Sequence, residues 1–178
     1  MSDMDASPPP AAPDTRDWTF VVDEGCPECG YRPHDPALTG ERLRAGVPRW
    51  AAVLARPDVA QRPSEGVWSP LEYASHARDL VGVLGQRVAA MLEEEGAPFA
   101  EYDGEAEAVR QEFWANDPAG VARQIAASTE DTVDVLGRVS GEDWERTGLR
   151  GDGRPFTVTQ LSRYLLHDVE HHLHDVGA

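Results

Sequence analysis

The spacing of apolar residues along the chain is predominantly helical. In the segment 37–57, apolar side chains recur three to five residues apart, as they do on one face of an α-helix. The clearest helix is predicted to begin at Pro70 and to end before Gly96. Ser69 suits its N-cap, Pro70 its first position, and Glu72 completes a capping box.

Two further long helices carry the same kind of start signal. Asp117 is an N-cap residue followed by Pro118, and Thr157 precedes a last helix that runs from about Val158 to Val176. No sustained strand period is visible between them. The sequence therefore predicts an all-α protein, a four-helix bundle with a short Cys-containing N-terminal extension.

The region before the bundle divides into two parts. Residues 1–16 are rich in Pro, Ala and Asp and have almost no large apolar side chain, which predicts a disordered tail. In residues 17–36, apolar and polar side chains alternate from Trp18 to Val22, which predicts a short extended stretch that runs into a turn, CPECG. The bundle itself is assigned to residues 37–178.

Composition and charge narrow the classes of partner. The chain has 178 residues, with 32 acidic and 16 basic side chains and a formal net charge of −16. Nucleic-acid binding depends on Lys and Arg, so we expect no nucleic-acid partner. No apolar run approaches the length of a membrane span and no secretory signal is recognised, so we expect a soluble cytoplasmic protein that acts on a small molecule.

Candidate chemistry is concentrated at the end of the chain. Four of the six histidines fall in the last predicted helix: His167, His171, His172 and His174. A helix turns about 100° per residue, so His167 and His171 stack on one face in the H-x-x-x-H arrangement that binds metals. A solvated polar helix face would also explain this pattern.

Two motifs resemble the DinB-like four-helix-bundle superfamily, and the resemblance covers about residues 38–176. WSPLEYASHARDL is similar to its second-helix motif, and LLHDVEHHL to its last-helix motif. The resemblance implies a divalent metal, zinc or nickel, held by His76, His167 and His171. It also implies that His172 is a frequent extra histidine outside the ligand set. His174 stands where the family often has Gln, and its role is open.

The resemblance also implies an activity. Several members of this superfamily are transferases or isomerases, among them maleylpyruvate isomerase, that activate a low-molecular-weight thiol such as mycothiol or bacillithiol on the metal. Three histidines leave a coordination position open, as in catalytic sites. We therefore expect a metal-dependent thiol transferase or isomerase. The alternatives are a hydrolase that uses metal-bound hydroxide, and a non-enzymatic, stress-associated metal-binding bundle. A homodimer is also left open.

Polar neighbours of the histidines are candidates for supporting roles. Asp79 lies one turn from His76 and is expected to orient its imidazole. Asp168 flanks His167 and is a candidate general base. Arg163 is a candidate for holding an anionic part of the substrate or thiol cofactor.

The CPECG turn is a second candidate metal site. With His34, Cys26 and Cys29 read C-x₂-C-x₄-H, the beginning of a zinc knuckle that lacks its fourth ligand. His172 or His174 could complete it. The other interpretations are a redox pair, two thiols that join the bundle metal, and two reduced cysteines in an ordinary turn.

Overall fold

A computed structural model describes residues 8–178, in which four long helices form a bundle. In chain order the helices are α1 (Val21–Glu24), α2 (Thr39–Leu54), α3 (Pro70–Glu93), α4 (Gly104–Arg110), α5 (Pro118–Leu136) and α6 (Val158–Asp175). Short 3₁₀ turns occupy Trp18–Phe20, Pro36–Leu38, Phe113–Ala115 and Gly141–Glu145. The predicted four-helix bundle with a Cys-containing extension is confirmed.

The order of the helices around the bundle differs from their order in the chain. The principal helix contacts join α3 to α5 and α6, and α2 to α5 and α6. The consecutive helices α2 and α3 therefore stand at opposite corners of the bundle. This arrangement makes α6 a direct neighbour of α3, so that His76 on α3 faces the histidine-rich end of the chain.

The predicted start signals of three helices are confirmed. The Ser69 side chain accepts a hydrogen bond from the Glu72 backbone N–H, with the reciprocal capping-box contact also present. Asp117 and Thr157 accept hydrogen bonds from the backbones of α5 and α6 in the same way. These contacts satisfy N–H groups that have no partner within their own helix.

The extended stretch predicted between Trp18 and Val22 is wrong. Trp18–Phe20 is a 3₁₀ turn that leads directly into α1. Asp17 caps this turn by accepting a hydrogen bond from the Thr19 N–H, and the adjacent residues Val21 and Val22 are both buried. Local capping and burial of successive residues prevail here over an alternation that was too short to specify a strand.

A small sheet was missed by the sequence analysis. β1 (Ala97–Pro98) pairs in parallel with β2 (Thr147–Leu149), and β2 pairs in antiparallel fashion with β3 (Pro155–Thr157). Strands of two or three residues are too short to show a period in the sequence. The sheet packs against the end of α3 and leads the chain into α6.

The chain before the bundle contacts it at several points. Residues 8–16 contain neither helix nor strand, but the Ala12 N–H donates to the Gly66 carbonyl at 2.8 Å. The rest of the predicted disordered tail, residues 1–7, lies outside the described residues, and the predicted domain boundaries stay a prediction. Among residues 8–178, none of the helices combines the length and apolar character that crossing a bilayer requires.

Candidate metal centres

Three side chains from α3 and α6 converge at the surface between these helices. One donor atom each from His76, Asp168 and His172 lies within 4.8 Å of the other two. The Asp168 carboxylate stands between the imidazoles, with Oδ1 at 3.0 Å from His172 Nε2 and Oδ2 at 3.7 Å from His76 Nε2. We call these three residues the α3–α6 triad.

The surroundings of His76 fix the position of its ring. The Tyr102 hydroxyl lies 3.4 Å from His76 Nδ1, and the Trp68 ring packs beside the imidazole at 5.4 Å. Gly104, the first residue of α4, comes so close that a Cβ there would lie 2.8 Å from His76 Cε1. The absence of a side chain at Gly104 therefore lets α4 begin directly against the ring.

The electrostatics of the triad favour positive charge between its donors. Burial opposes protonation of His172, but the carboxylates of Asp168 and Asp175 outweigh it and raise the pKa of this imidazole to about 9. Burial also opposes ionisation of Asp168, but His172 and His76 hold the pKa of that carboxyl well below its usual range. The same arrangement that stabilises a proton here is suited to a metal cation.

A second group of donors joins the outer face of α6 to the CPECG turn. Donor atoms of Cys26, Cys29, His167 and His171 all lie within 4.8 Å of one another, and Cys26 Sγ is 3.6 Å from His171 Nδ1. Both cysteines are free thiols. We call these four residues the Cys–His cluster.

Aromatic residues of the N-terminal segment, residues 17–36, cover this cluster. The Trp18 ring centre lies 5.6 Å from that of His167 and 4.9 Å from that of His171, and the Tyr31 ring packs edge-on against His167 at 5.3 Å. His167 is only 3% exposed, and burial lowers its pKa to about 4, which keeps the imidazole neutral near pH 7. Its Nε2 is buried without a hydrogen-bond partner among residues 8–178.

The structure divides the predicted three-histidine set between the two groups. His76 meets Asp168 and His172, whereas His167 and His171 meet the cysteines. The physical reason is the rotation of α6 about its axis, because successive residues of a helix are about 100° apart. Around this axis, the Asp168/His172 pair lies about 60° from the buried Leu165/Val169 pair. The His167/His171 pair lies about 160° from it, on nearly the opposite face. Only the first pair turns towards α3.

The remaining histidines lie in neither group. His34 is held between the Tyr31 hydroxyl at 3.0 Å and Thr39 Oγ1 at 2.9 Å. His174 is exposed on α6 and belongs to neither donor set. The predicted completion of a zinc knuckle by His172 or His174 is therefore not the arrangement that the structure shows.

Two of the predicted supporting residues are engaged elsewhere. Asp79 accepts hydrogen bonds from Arg78 and Gln111 and does not line the cavity beside His76. The Arg163 side chain donates to the backbone carbonyl of His34 at 2.9 Å, which ties the N-terminal segment to α6. A part in catalysis or cofactor binding for Asp79 and Arg163 stays a prediction.

Asp175 is a site residue that the sequence analysis missed. Its Oδ2 lies 2.9 Å from His172 Nδ1, and its Oδ1 lies 3.6 Å from His171 Nε2. It thus contacts one imidazole of each donor group, on the side away from the other donors. Its spacing of three and four residues from these histidines was the available signal, since such residues are neighbours on a helix.

A cavity of about 620 Å³ opens beside the α3–α6 triad. Five aromatic side chains line it beside charged residues: Trp18, Trp68, Tyr73, Tyr102 and Tyr164. A second cavity of about 580 Å³ adjoins it, shares Trp18 and Tyr102 with it, and is lined by Arg87, Arg150 and Arg154. The two spaces are each large enough for a small organic molecule.

Comparison with known proteins identifies both the family model and the fold that this chain matches. The model described as the DinB superfamily matches residues 39–176. Among solved structures, the chain is similar to YfiT from Bacillus subtilis, described as a probable metal-dependent hydrolase with an unusual four-helix bundle topology. The TM-score is 0.68 at 17% sequence identity, over 82% of this chain and 91% of YfiT. No curated protein matches the chain significantly.

Proposed function

The chain belongs to the DinB superfamily, and on this premise we propose that it is a metal-dependent enzyme whose reaction centre is the α3–α6 triad. One observation carries the proposal: donor atoms from two helices converge within 4.8 Å at the wall of a cavity. Three protein ligands with an open side are the arrangement of catalytic metal sites, whereas structural sites are closed by four.

The donor chemistry fits a divalent transition metal. Two imidazole nitrogens and one carboxylate oxygen suit zinc and nickel. His76, Asp168 and His172 would hold such an ion, which would lower the pKa of a bound thiol or water molecule and so supply a nucleophile near neutral pH.

The residues around the triad prepare this chemistry. Asp168 lies between the two imidazoles and sets their separation. Asp175 accepts a hydrogen bond from the Nδ1–H of His172, which directs Nε2 towards the Asp168 carboxylate and the centre of the triad. The rings of Trp68 and Tyr73 pack against His76 and His172 respectively and limit access of water to the donors.

We propose a low-molecular-weight thiol as the first candidate for the nucleophile. A thiol transferase or isomerase must hold both a thiol cofactor and a substrate, and the two adjoining cavities provide space for both. Arg87 lines the second cavity and forms no salt bridge among residues 8–178, so it suits an anionic group of either molecule, whereas Arg150 and Arg154 are paired with Asp152. In this reaction the thiolate sulfur would form a bond to an electrophilic carbon of the substrate. In a conjugate addition the carbon–carbon π bond would break and the neighbouring carbon would take up a proton, and in a displacement the leaving group would depart with the electron pair of its own bond.

Hydrolysis is the second candidate. Two histidines and one carboxylate are also the ligand set of hydrolytic zinc enzymes, and YfiT is described as a probable hydrolase. The two candidates differ in one requirement. Thiol transfer depends on an added small thiol, whereas hydrolysis proceeds without it.

The test compares wild type with His76→Ala and with the control His174→Ala, which removes a histidine outside both donor groups. Each protein is loaded with zinc or nickel and assayed on electrophilic and ester substrates with and without a small thiol. We expect His76→Ala to lose at least about 100-fold in kcat/KM and His174→Ala to retain wild-type activity. Equal activity and equal metal content in wild type and His76→Ala would overturn the proposal.

A further inference from the structure

We propose that the Cys–His cluster is a second metal site, a closed zinc site that fastens the N-terminal segment to the outer face of α6. This site is separate from the reaction centre proposed above and does not depend on it. Its four donors are Cys26 and Cys29 from the CPECG turn and His167 and His171 from α6.

The distances match those of a tetrahedral zinc ion. With Zn–S bonds of about 2.3 Å and Zn–N bonds of about 2.05 Å, the sulfur-to-nitrogen edge of the tetrahedron is about 3.6 Å. Cys26 Sγ and His171 Nδ1 are 3.6 Å apart, and the other donor pairs lie within 4.8 Å. Four donors this close together suit a single shared ion.

The turn that presents the cysteines has the backbone of a preformed loop. The Gly30 N–H donates to the Cys26 carbonyl at 2.9 Å, and the Cys26 N–H donates to the Tyr31 carbonyl at 2.9 Å. Gly25 has φ +81°, and a Cβ there would lie 2.6 Å from the Tyr31 carbonyl oxygen. Only glycine allows the chain to fold back so closely, and this closure places both thiols on the same side of the turn.

A buried atom of one cluster residue lacks a hydrogen-bond partner. The His167 side chain is only 3% exposed, and its Nε2 has no hydrogen-bond partner among residues 8–178. Leaving such a nitrogen without a partner is unfavourable. A metal ion supplies that partner, and the two thiols beside it are ligands that zinc prefers.

The position of the cluster indicates a structural purpose. His167 and His171 stand on the face of α6 that points away from the bundle core, and they are buried because the N-terminal segment covers them. Four protein donors leave no coordination position for a substrate. The ion would therefore hold the segment in place, including Trp18, which forms part of the wall of the cavity beside the triad.

Sulfur and nitrogen donors in a two-plus-two set favour zinc over metals that prefer oxygen. The His171 ring supports this assignment: its Nδ1 faces Cys26, and its Nε2 faces the Asp175 carboxylate at 3.6 Å. A carboxylate near the free nitrogen of a coordinating histidine is the usual outer partner in zinc proteins.

The experiment measures zinc per chain in the full-length, untagged protein by elemental analysis. The four proteins are wild type, the double variant Cys26→Ser/Cys29→Ser, His76→Ala and the control His174→Ala. We expect the double variant to hold one equivalent of zinc fewer than wild type and His174→Ala, and His76→Ala to retain the equivalent bound by the Cys–His cluster. Unchanged zinc content in the double variant overturns the proposal.

Cobalt substitution provides a second test, whose decisive outcome depends on the wild-type protein alone. Cobalt(II) bound by thiolates has a strong charge-transfer absorption, and tetrahedral cobalt(II) has intense visible bands. We expect both in wild type and in His76→Ala, and loss of the charge-transfer band in the double variant. Absence of this band from wild type overturns the proposal. Its persistence in His76→Ala together with loss of activity separates this site from the reaction centre.

Discussion

Asp175→Asn is the perturbation that tests the geometry of both centres at once. Asp175 Oδ2 lies within hydrogen-bond distance of His172 Nδ1, at 2.9 Å, but its Oδ1 is 3.6 Å from His171 Nε2. The substitution keeps the size of the side chain and removes its charge. The loss should therefore fall mainly on the α3–α6 triad.

The expected magnitudes follow from these two distances. Removal of a carboxylate that orients a coordinating histidine lowers metal affinity by about 10- to 100-fold, which is about 1.4–2.8 kcal/mol. We expect a loss of this size at the triad. At the Cys–His cluster the longer contact resembles a weak charge pair, so we expect a loss of at most about fivefold.

Competition titration with a chromophoric zinc chelator measures both affinities. The triad is measured alone in the Cys26→Ser/Cys29→Ser background, and the Cys–His cluster alone in the His76→Ala background. Glu170→Gln is the matched control, because it removes one negative charge from α6 at a residue that pairs with Arg42 instead of a histidine. The reasoning is refuted if Asp175→Asn binds zinc at the triad as tightly as its parent, or if Glu170→Gln weakens the triad equally.

Three further predictions concern stability, site geometry and the N-terminal segment. Burial raises the pKa of Glu72, but hydrogen bonds from Arg62 and the Ser69 cap outweigh it and lower the pKa below its usual value. Glu72→Gln should therefore destabilise the fold by about 3 kcal/mol near pH 7. Urea unfolding over a pH series should show this difference in unfolding free energy shrinking as the pH falls through the lowered pKa of Glu72. A difference that does not change with pH would contradict the ion pair of Glu72 with Arg62 as its cause. Gly104→Ala should weaken zinc binding at the triad by at least about tenfold, because the added Cβ would lie 2.8 Å from the His76 ring. The control is Gly82→Ala, whose Cβ would lie 4.0 Å from its nearest neighbour and which should bind zinc as wild type does. Removal of zinc by a chelator should speed chymotryptic cleavage within the N-terminal segment, after Trp18, Phe20 or Tyr31, as followed by mass spectrometry. Equal cleavage rates with and without zinc would argue against the zinc site as its anchor.

Local signals in the sequence were sufficient for the helices of the bundle. Ser69, Asp117 and Thr157 each form the cap that their sequence context predicted, because capping involves residues only two or three positions apart. The short strands and the helical turn at Trp18–Phe20 were not predictable in this way. The strands depend on pairing with segments far away in the chain, whereas the turn depends on its Asp17 cap and on the burial of the residues after it. All of them are too short to carry a period of their own.

The sequence by itself also identified the residues that carry the chemistry: the CPECG turn, His76 and the histidines of the last helix. It could not determine how they are grouped, since His167/His171 and Asp168/His172 are both pairs with a spacing of four and differ by one position. A periodic pattern defines angles within a helix, but it does not define the rotation of that helix against its neighbours. Packing of the apolar face of α6 into the bundle decides this rotation, turning one pair towards His76 and leaving the other on the outer face, where the N-terminal segment brings the two cysteines.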